Sequence, residues 1–404
     1  MSTPNLTVSS LSATRPSDSR LYFLDWVRII AFFMLILYHV GMYYVEWGWH
    51  VKSPHASSAI QPLMMLSSPW RLSLLFFISG VASAFMLEKS QPGSFLRNRT
   101  VRLLLPLIFG MVIIVPPQAY LEVVEKLSYA GSYGDFMQLY LHAYKGFKID
   151  GKVLSLPTWN HLWFVAYIWV YSVLLWLLVA FRPAWFQAAR TALQKHMHGY
   201  RILVLPVMYL ALVRMGLFSA FPPNNGLFAD WYNHACYLFV FLFGALIANA
   251  DNFWQELAAL RWTALKIAAC GWLFLIIYFS FDDASPRQWL IMFQRAVWVS
   301  MAWSAIIAAC GYARVYLNFD SPARRYLTQA VFPVYILHQT YIVIMAHSLK
   351  PLALPALSEG ILLIVLTGAS CFISYELIRR LFFLRPLFGL GFGWSYKPRS
   401  LSPG

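Results

Sequence analysis

Long uninterrupted apolar runs constrain the fold of this chain more than any other feature. A helix that rises about 1.5 Å per residue needs roughly 20 apolar residues to cross the hydrocarbon core of a bilayer. Ten runs of about this length lie near residues 22–45, 59–87, 103–124, 161–181, 202–220, 234–250, 263–281, 288–312, 329–347 and 358–378. Because 60% of the 404 residues are hydrophobic and only 12% are charged, a water-soluble core could not bury them. The sequence therefore predicts an all-α integral membrane fold, a bundle of about ten transmembrane helices.

Prolines interrupt two of these runs. Pro62 and the Ser-Ser-Pro sequence at 67–69 divide the second run, which predicts a re-entrant piece followed by a shorter span. Pro116 and Pro117 predict a kink in the third run, because proline removes a backbone donor from the helix.

The distribution of lysine and arginine predicts the orientation. With residue 1 on the cytoplasmic side, 20 of the 31 lysines and arginines fall in inner segments and 7 in outer loops. The positive-inside rule then places both termini on the cytoplasmic side, N-in and C-in. The net charge of +15 follows from this topology and requires no nucleic-acid partner.

The chain divides into three predicted segments. Residues 1–20 are polar and rich in Ser and Thr, which predicts a disordered cytoplasmic tail. Residues 21–380 form the transmembrane domain, and residues 381–404 form a basic, aromatic cytoplasmic tail at the membrane surface. The four cysteines are widely spaced inside predicted helices, and no metal-binding or nucleotide-binding motif is present. We therefore expect no metal site and no bound cofactor.

Four cations lie within or close to the predicted spans: Arg28, Arg71, Arg214 and Arg295. An arginine at bilayer depth costs several kcal/mol unless it faces protein or water, so each marks a candidate functional site. Snorkelling from a helix end is the alternative explanation for Arg214 and Arg295.

The first span carries three polar residues, Asp25, Arg28 and His39. Arg28 and His39 are eleven residues apart, close to three helical turns, so they share one face about 16 Å apart along the axis. Asp25 and Arg28 can pair with each other at i, i+3, which would explain both without a function. His39 has only Leu35 and Tyr43 as its i−4 and i+4 neighbours. A histidine here is suited to act as a general base for an alcohol, although a packing role is the alternative.

Two further places carry polar residues in apolar surroundings. Arg71 precedes Ser79 and Gly80 by two to three turns, and small residues there allow close approach of another helix. His161 lies beside Trp163 at the predicted outer interface. An aromatic belt explains the tryptophan, but it does not explain the histidine.

Five sequence blocks, in this order, resemble the acyltransferase family 3 membrane enzymes and, within them, the glucans biosynthesis protein C group. The blocks are YFLDWVRIIAFFMLILYHVGMYYVEWGWHVKSP from residue 22, FFISG at 76–80, LRNRTVRLLLP at 96–106, HLWFV at 161–165 and VYILHQ at 334–339. The most specific element is an arginine followed by ten residues and a histidine, here Arg28 and His39. The resemblance covers roughly residues 20–380.

The resemblance implies transfer of an acyl group from cytoplasmic acyl-CoA, as co-substrate, to a sugar hydroxyl on the outer side of a bacterial inner membrane. In the glucan group, the acceptor is a periplasmic glucan and the acyl group is usually succinyl. A succinyl donor brings an additional carboxylate, which would favour a further arginine in the pocket, Arg214 or Arg295. The implied partners are therefore acyl-CoA, a glycan acceptor and the lipid bilayer.

The resemblance also suggests roles for individual residues. His39 would be the base or the group that handles the acyl chain in transit, with Arg28 toward the donor and Arg71 serving either substrate. The basic inner loop fits an acyl-CoA entrance, although the positive-inside rule predicts the same cations. The expected donor-binding residues are Arg97, Arg99 and Arg102. The expected substrate-binding residues are His161, His338, Trp163 and Asp25.

Two alternatives remain at the level of sequence. Buried arginines and histidines also occur in transporters, so an exporter of an anionic substrate or glycan is one alternative. The chain lacks helices broken by Gly or Pro at matching positions in two halves, which argues against it. A catalytically silent scaffold for glucan export is the other.

Overall fold

The computed structural model describes residues 21–281 and 286–391 of the chain. The predicted tail at 1–20 and residues 392–404 lie outside the described residues. The α-helices of the described part are α1 (Tyr22–Tyr44), α2 (Gln61–Ser67), α3 (Arg71–Glu88), α4 (Pro92–Phe109), α5 (Pro116–Leu127), α6 (Tyr133–Leu141), α7 (Trp163–Phe181), α8 (Pro183–His196), α9 (Arg201–Leu217), α10 (Trp231–Ile247), α11 (Asp251–Ala259), α12 (Arg261–Ser280), α13 (Gln288–Tyr316), α14 (Pro322–Leu349) and α15 (Ala356–Arg380).

Eight helical segments of the described chain are long and apolar enough to cross a membrane. They are Tyr22–Tyr44, Ser58–Glu88, Pro92–Leu127, Asn160–Phe181, Arg261–Ser280, Gln288–Tyr316, Pro322–Leu352 and Ala356–Arg380. The pairs α8 with α9 and α10 with α11 bend by 119° and 115° at their junctions, and counting each pair as one span gives up to ten. The predicted all-α membrane bundle is confirmed, whereas the N-in orientation stays a prediction.

The chain breaks at both places where prolines interrupt the apolar runs. The short helix α2 ends at Ser67, and α3 begins at Arg71 after a tight turn. A π-helical turn, Gly110–Ile114, separates α4 from α5, which starts at Pro116. Each break ends one helix, but Ser58–Glu88 and Pro92–Leu127 each remain one candidate span, since neither break bends the chain by more than 40°.

The bundle has two ends that differ in charge. Arg28, near the start of α1, and Arg385, beyond the end of α15, lie around one cavity. We call this the arginine end. His39, near the other end of α1, belongs to the opposite end, which we call the histidine end. There α5 projects into a small cap in which α6 and a two-stranded antiparallel hairpin, β1 (Lys148–Ile149) and β2 (Lys152–Val153), pack around Phe136.

Helices α3 and α10 cross at two glycines. A Cβ atom added to Gly80 would lie 1.9 Å from the backbone oxygen of Phe241, and one added to Gly244 would lie 2.3 Å from that of Phe77. Because backbone oxygens cannot rotate away, only glycine allows this approach. The crossing fixes α3, whose first turn carries Arg71 into the candidate site.

We expect Gly80→Leu to destabilise the protein by about 1–3 kcal/mol, because the new side chain overpacks a backbone contact. The measurement is the thermal unfolding midpoint of the detergent-solubilised protein. Gly216→Leu in α9 is the matched control, since a Cβ there meets nothing within 4 Å. Equal shifts for the two variants would contradict a special role for the crossing.

Candidate active site

A cavity of about 840 Å³ opens at the arginine end of the bundle. The described residues that line it include no aspartate or glutamate and six arginines: Arg28, Arg99, Arg102, Arg379, Arg380 and Arg385. We call it the arginine cavity. Guanidinium groups bind phosphate with paired hydrogen bonds, so this wall is suited to a polyanionic ligand.

A second cavity, of about 490 Å³, lies at the histidine end. Its wall contains His39, Arg71, His161, Trp163 and Arg214 together with apolar and aromatic side chains, and the described residues that line it include no aspartate or glutamate. We call it the histidine cavity. The sequence predicted four of these five as site residues and Arg214 as a candidate, and the fold brings them to one place.

The two cavities meet at Leu75 and Phe164, which line both of them. Leu75 belongs to α3 and Phe164 to α7, and both side chains are buried. We call this apolar junction the neck. The face of α1 predicted from helical spacing runs along the two cavities, with Arg28 on one side of the neck and His39 on the other.

The tautomer of His39 follows from a chain of hydrogen bonds. Nδ1 of His338 lies 2.6 Å from the carbonyl oxygen of Tyr335, which can only accept, so this nitrogen carries a hydrogen. Nε2 of His338 is then an acceptor, and it lies 2.7 Å from Nδ1 of His39. His39 therefore donates from Nδ1. Its Nε2 carries a lone pair and has no hydrogen-bond partner among the described residues.

This arrangement orients His39 as a base. His338 is fully buried and holds the imidazole by Nδ1, as an orienting partner does in catalytic pairs. The ring of Trp49 stacks on His39 at a centroid distance of 6.5 Å and restricts it from another side. The lone pair on Nε2 is what a general base needs to accept a proton from a hydroxyl group.

Lys52 fastens the loop that carries Trp49 to the end of α1. Its Nζ donates to the carbonyl oxygens of Met42, at 2.7 Å, and Val45. Burial lowers the pKa of this ammonium group to about 8. The lysine thus caps the helix and holds Trp49 in place beside His39.

His161 is engaged by the protein on both ring nitrogens. Its Nε2 donates to the carbonyl oxygen of Ile336 at 3.1 Å, and its Nδ1 accepts from Nε2 of Gln118 at 3.5 Å. The ring lies 5.2 Å from that of His338 and at right angles to it. Because both nitrogens of His161 are hydrogen bonded, only its ring surface is left to contact a ligand in the cavity. The histidine also supports α14 beside His338.

Arg71 is buried and has two donors without a partner. Its guanidinium stacks on the ring of Tyr38, 3.2 Å from the ring centroid, and Nε and Nη1 have no hydrogen-bond partner among the described residues. Tyr38 immediately precedes His39 on α1. The free donors of Arg71 are therefore held next to the histidine in the same cavity, where negative charge can be stabilised.

Three predicted site residues line neither cavity: His338, which bonds to His39 instead, Asp25 and Arg97. Asp25, expected to bind substrate, forms an ion pair with Arg324 at the arginine end, and neither residue lines a cavity described above. Arg97, expected to bind the donor, is exposed and does not belong to the wall of the arginine cavity, whereas Arg99 and Arg102 do. The 3.6-residue spacing explains the difference, because Arg99 and Arg102 face inward on α4 and Arg97 does not.

Sequence reasoning did not assign Arg379, Arg380 and Arg385 to a site, and it placed them at the end of the domain and in the tail. In the structure, the described residues after α15 fold back against α4, so that these arginines complete the arginine cavity. A cluster of three arginines within seven residues was the available signal. The positive-inside rule also predicts basic residues at this place, so the cluster did not by itself indicate a ligand site.

Comparison with known proteins bears on the chemistry of this site. The sequence profile of the acyltransferase-3 family, described as an acyltransferase domain, matches residues 21–376. Glucans biosynthesis protein C from Escherichia coli K12, from strain HS (O9:H4) and from strain SMS-3-5 is similar to this chain. Each is 22% identical over 329 residues, which are 79% of this chain and 81% of the relative. No solved structure matches the chain.

Proposed function

Since this multi-pass membrane protein belongs to the acyltransferase-3 family, we propose that it transfers an acyl group from acyl-CoA in the arginine cavity to a carbohydrate hydroxyl in the histidine cavity. The observation that carries the proposal is the junction of two unlike cavities at Leu75 and Phe164. An anionic donor and a hydroxyl acceptor need unlike sites, and a group-transfer enzyme needs those sites to touch.

The arginine cavity is the proposed donor site. Coenzyme A carries several phosphate groups, and each can be held by guanidinium donors. Arg379 and Arg380 already pair with Glu376, whereas no ion pair is seen at Arg28, Arg99 and Arg102 among the described residues. In the N-in orientation this cavity opens to the cytoplasm, where acyl-CoA is found. The flexible pantetheine arm then reaches through the neck and presents the thioester to His39.

His39 and Arg71 carry the proposed chemistry. Nε2 of His39 takes the proton of the sugar hydroxyl while its oxygen attacks the thioester carbonyl. The donors of Arg71 stabilise the negative charge that develops on the carbonyl oxygen. The carbon–sulfur bond then breaks, an ester forms, and His39 returns the proton to the leaving thiolate of coenzyme A.

A glucan is the proposed acceptor and succinyl the proposed acyl group, with the bacterial inner membrane as the location. The names of the similar Escherichia coli proteins favour a glucan. The histidine cavity also suits a sugar, because its wall combines Trp163 with polar side chains and pyranose rings commonly pack on tryptophan.

Reconstituted vesicles test the proposal. Protein in uniform orientation would receive acyl-CoA with an isotope-labelled acyl group on the arginine side and a glucan on the histidine side, and mass spectrometry would detect the ester. We expect labelled ester across the bilayer and none without donor. Ester only when both substrates share one side would contradict the two-cavity route. Passage of glucan or acyl group without ester formation would favour transport.

His338 gives a more specific prediction. We expect His338→Asn to lower kcat about tenfold with KM unchanged, because the asparagine amide is too short to accept from Nδ1 of His39. His338→Gln should retain more of kcat, since its longer amide reaches the former place of Nε2. Equal losses in both variants, or a loss expressed in KM, would contradict the positioning role.

A further inference from the structure

The proposed reaction assigns no role to one buried cation of the histidine cavity. Arg214, on α9, is 6% exposed and lines the cavity. Its Nη1 donates to the hydroxyl oxygen of Tyr232 at 2.7 Å. Its Nε has no partner, and among the described residues no carboxylate lies within 4.0 Å of the guanidinium group.

Aromatic rings surround this guanidinium. Its central carbon lies 4.4 Å from the ring centroid of Phe218, 4.6 Å from that of Trp298 and 5.9 Å from that of Tyr232. Such rings stabilise the cation through their faces and hold it in place, but they accept no hydrogen bond in its plane. Apart from the Nη1 hydrogen bond to Tyr232, the in-plane donors are not used by the described residues and can bind a ligand.

Asp230, which precedes α10, forms no ion pair with Arg214. Asp230 is fully buried, and its Oδ2 accepts from the hydroxyl of Tyr167 and the amide of Asn233, both at 2.7 Å, and from the backbone of Asn225 at 2.9 Å. This carboxylate is occupied by neutral donors. Among the residues that the structure describes, no direct ion pair therefore compensates the positive charge of Arg214.

Two free cations in one small cavity exceed what simple acyl transfer needs. The developing charge on the thioester oxygen requires one, and Arg71 stands next to His39 for that purpose. A sugar hydroxyl and an acetyl group are uncharged. Because an unpaired buried guanidinium is costly, the second cation indicates a substrate with a permanent negative charge that enters the cavity.

We propose that Arg214 binds the terminal carboxylate of a dicarboxylic acyl group and thereby selects such donors over acetyl. The inference rests on the proposed function and assigns the residue that recognises the charged end of the acyl group. Arg295, the other arginine that was a candidate for this role in the sequence, does not line the cavity. Its Nη2 donates to Oγ of Ser219 at 2.5 Å, and its guanidinium packs on Phe218.

Competition between donors tests this selection. The reconstituted protein would receive equal amounts of succinyl-CoA and acetyl-CoA with a neutral glucan acceptor, and the two esters would be counted by mass. We expect wild type to favour succinyl, and Arg214→Gln to lower the succinyl-to-acetyl ratio by about 10- to 100-fold through loss of charged hydrogen bonds. Arg214→Lys should keep an intermediate ratio. Arg295→Gln, the matched control, should keep the wild-type ratio.

Acetyl transfer is the internal control for folding. If Arg214→Gln retains acetyl transfer while succinyl transfer falls, the assignment is supported. If both rates fall together, or neither falls, or wild type does not favour succinyl, the assignment is wrong. If Arg214→Gln lost activity only with an anionic glucan as acceptor, Arg214 would bind the acceptor and not the acyl group. That result would also contradict the assignment. If wild type transfers neither group, the proposed function fails, and the inference fails with it.

Discussion

His39→Ala is expected to lower kcat for acyl transfer by about 10²- to 10⁴-fold and to leave KM for acyl-CoA nearly unchanged. Nε2 of His39, in the histidine cavity, has no hydrogen-bond partner among the described residues, and alanine removes the only proposed acceptor for the hydroxyl proton. The donor site lies beyond the neck, so donor binding should persist. Ester formation by the reconstituted protein, measured at several acyl-CoA concentrations, separates kcat from KM.

His55→Ala is the matched control for this variant. His55 is exposed at the same end of the bundle, bonds through Nε2 to the carbonyl oxygen of Leu354 and does not line the histidine cavity. It should retain the wild-type rate. Full activity of His39→Ala would remove His39 from the mechanism. Loss of acyl-CoA binding in the same variant would point to a collapsed fold instead.

Arg99→Gln is expected to raise KM for acyl-CoA by about 10- to 100-fold, because a hydrogen bond between charged groups contributes about 1.5–3 kcal/mol. Arg99 lines the arginine cavity, where its Nη2 already donates to Oγ of Ser83 at 2.6 Å and is held in place. Its Nε has no partner among the described residues and is free for a phosphate. Initial rates over a range of donor concentrations, at low and high salt, measure the effect.

Arg97→Gln is the control that makes this prediction sharp. Arg97 lies two residues earlier on α4, carries the same charge and is exposed outside the cavity. If long-range attraction of acyl-CoA to a basic surface were all that mattered, the two substitutions would raise KM alike, and both effects would vanish at high salt. If Arg99 belongs to a specific binding site, Arg99→Gln should raise KM for acyl-CoA strongly even at high salt, and Arg97→Gln should raise it only slightly.

Local periodicity explains which parts of the site the sequence could predict. Arg28 and His39 share one helix, so their common face follows from 3.6 residues per turn and needs no tertiary information. The membrane class follows from ten apolar runs in the same way. The bends at α8–α9 and α10–α11 were missed, because the apolar length that marks a span does not reveal the angle of the helix that precedes or follows it.

Contacts between distant segments explain what the sequence could not predict. His338 was expected to bind substrate, but its Nε2 faces Nδ1 of His39, 299 residues away, and no pattern in either helix encodes that pairing. From the sequence, Arg28 on α1 was the possible ion-pair partner of Asp25. In the structure, Arg324 from α14 forms an ion pair with Asp25. In both cases the partner comes from α14, whose packing against α1 is a property of the assembled bundle.

The neck has a consequence for the cell that is separate from acyl transfer. Polar cavities that enter a bilayer from both faces shorten the path that a proton must travel, and each elementary charge gains about 2.3 kcal/mol per 100 mV of membrane potential. Leu75 and Phe164 lie between the two cavities with apolar side chains, and a narrow apolar constriction excludes water and hence ions. If the acyl chain takes the proposed route, the residues that it passes also act as electrical insulation. Widening the neck would then cause a proton leak as well as impaired acyl transfer.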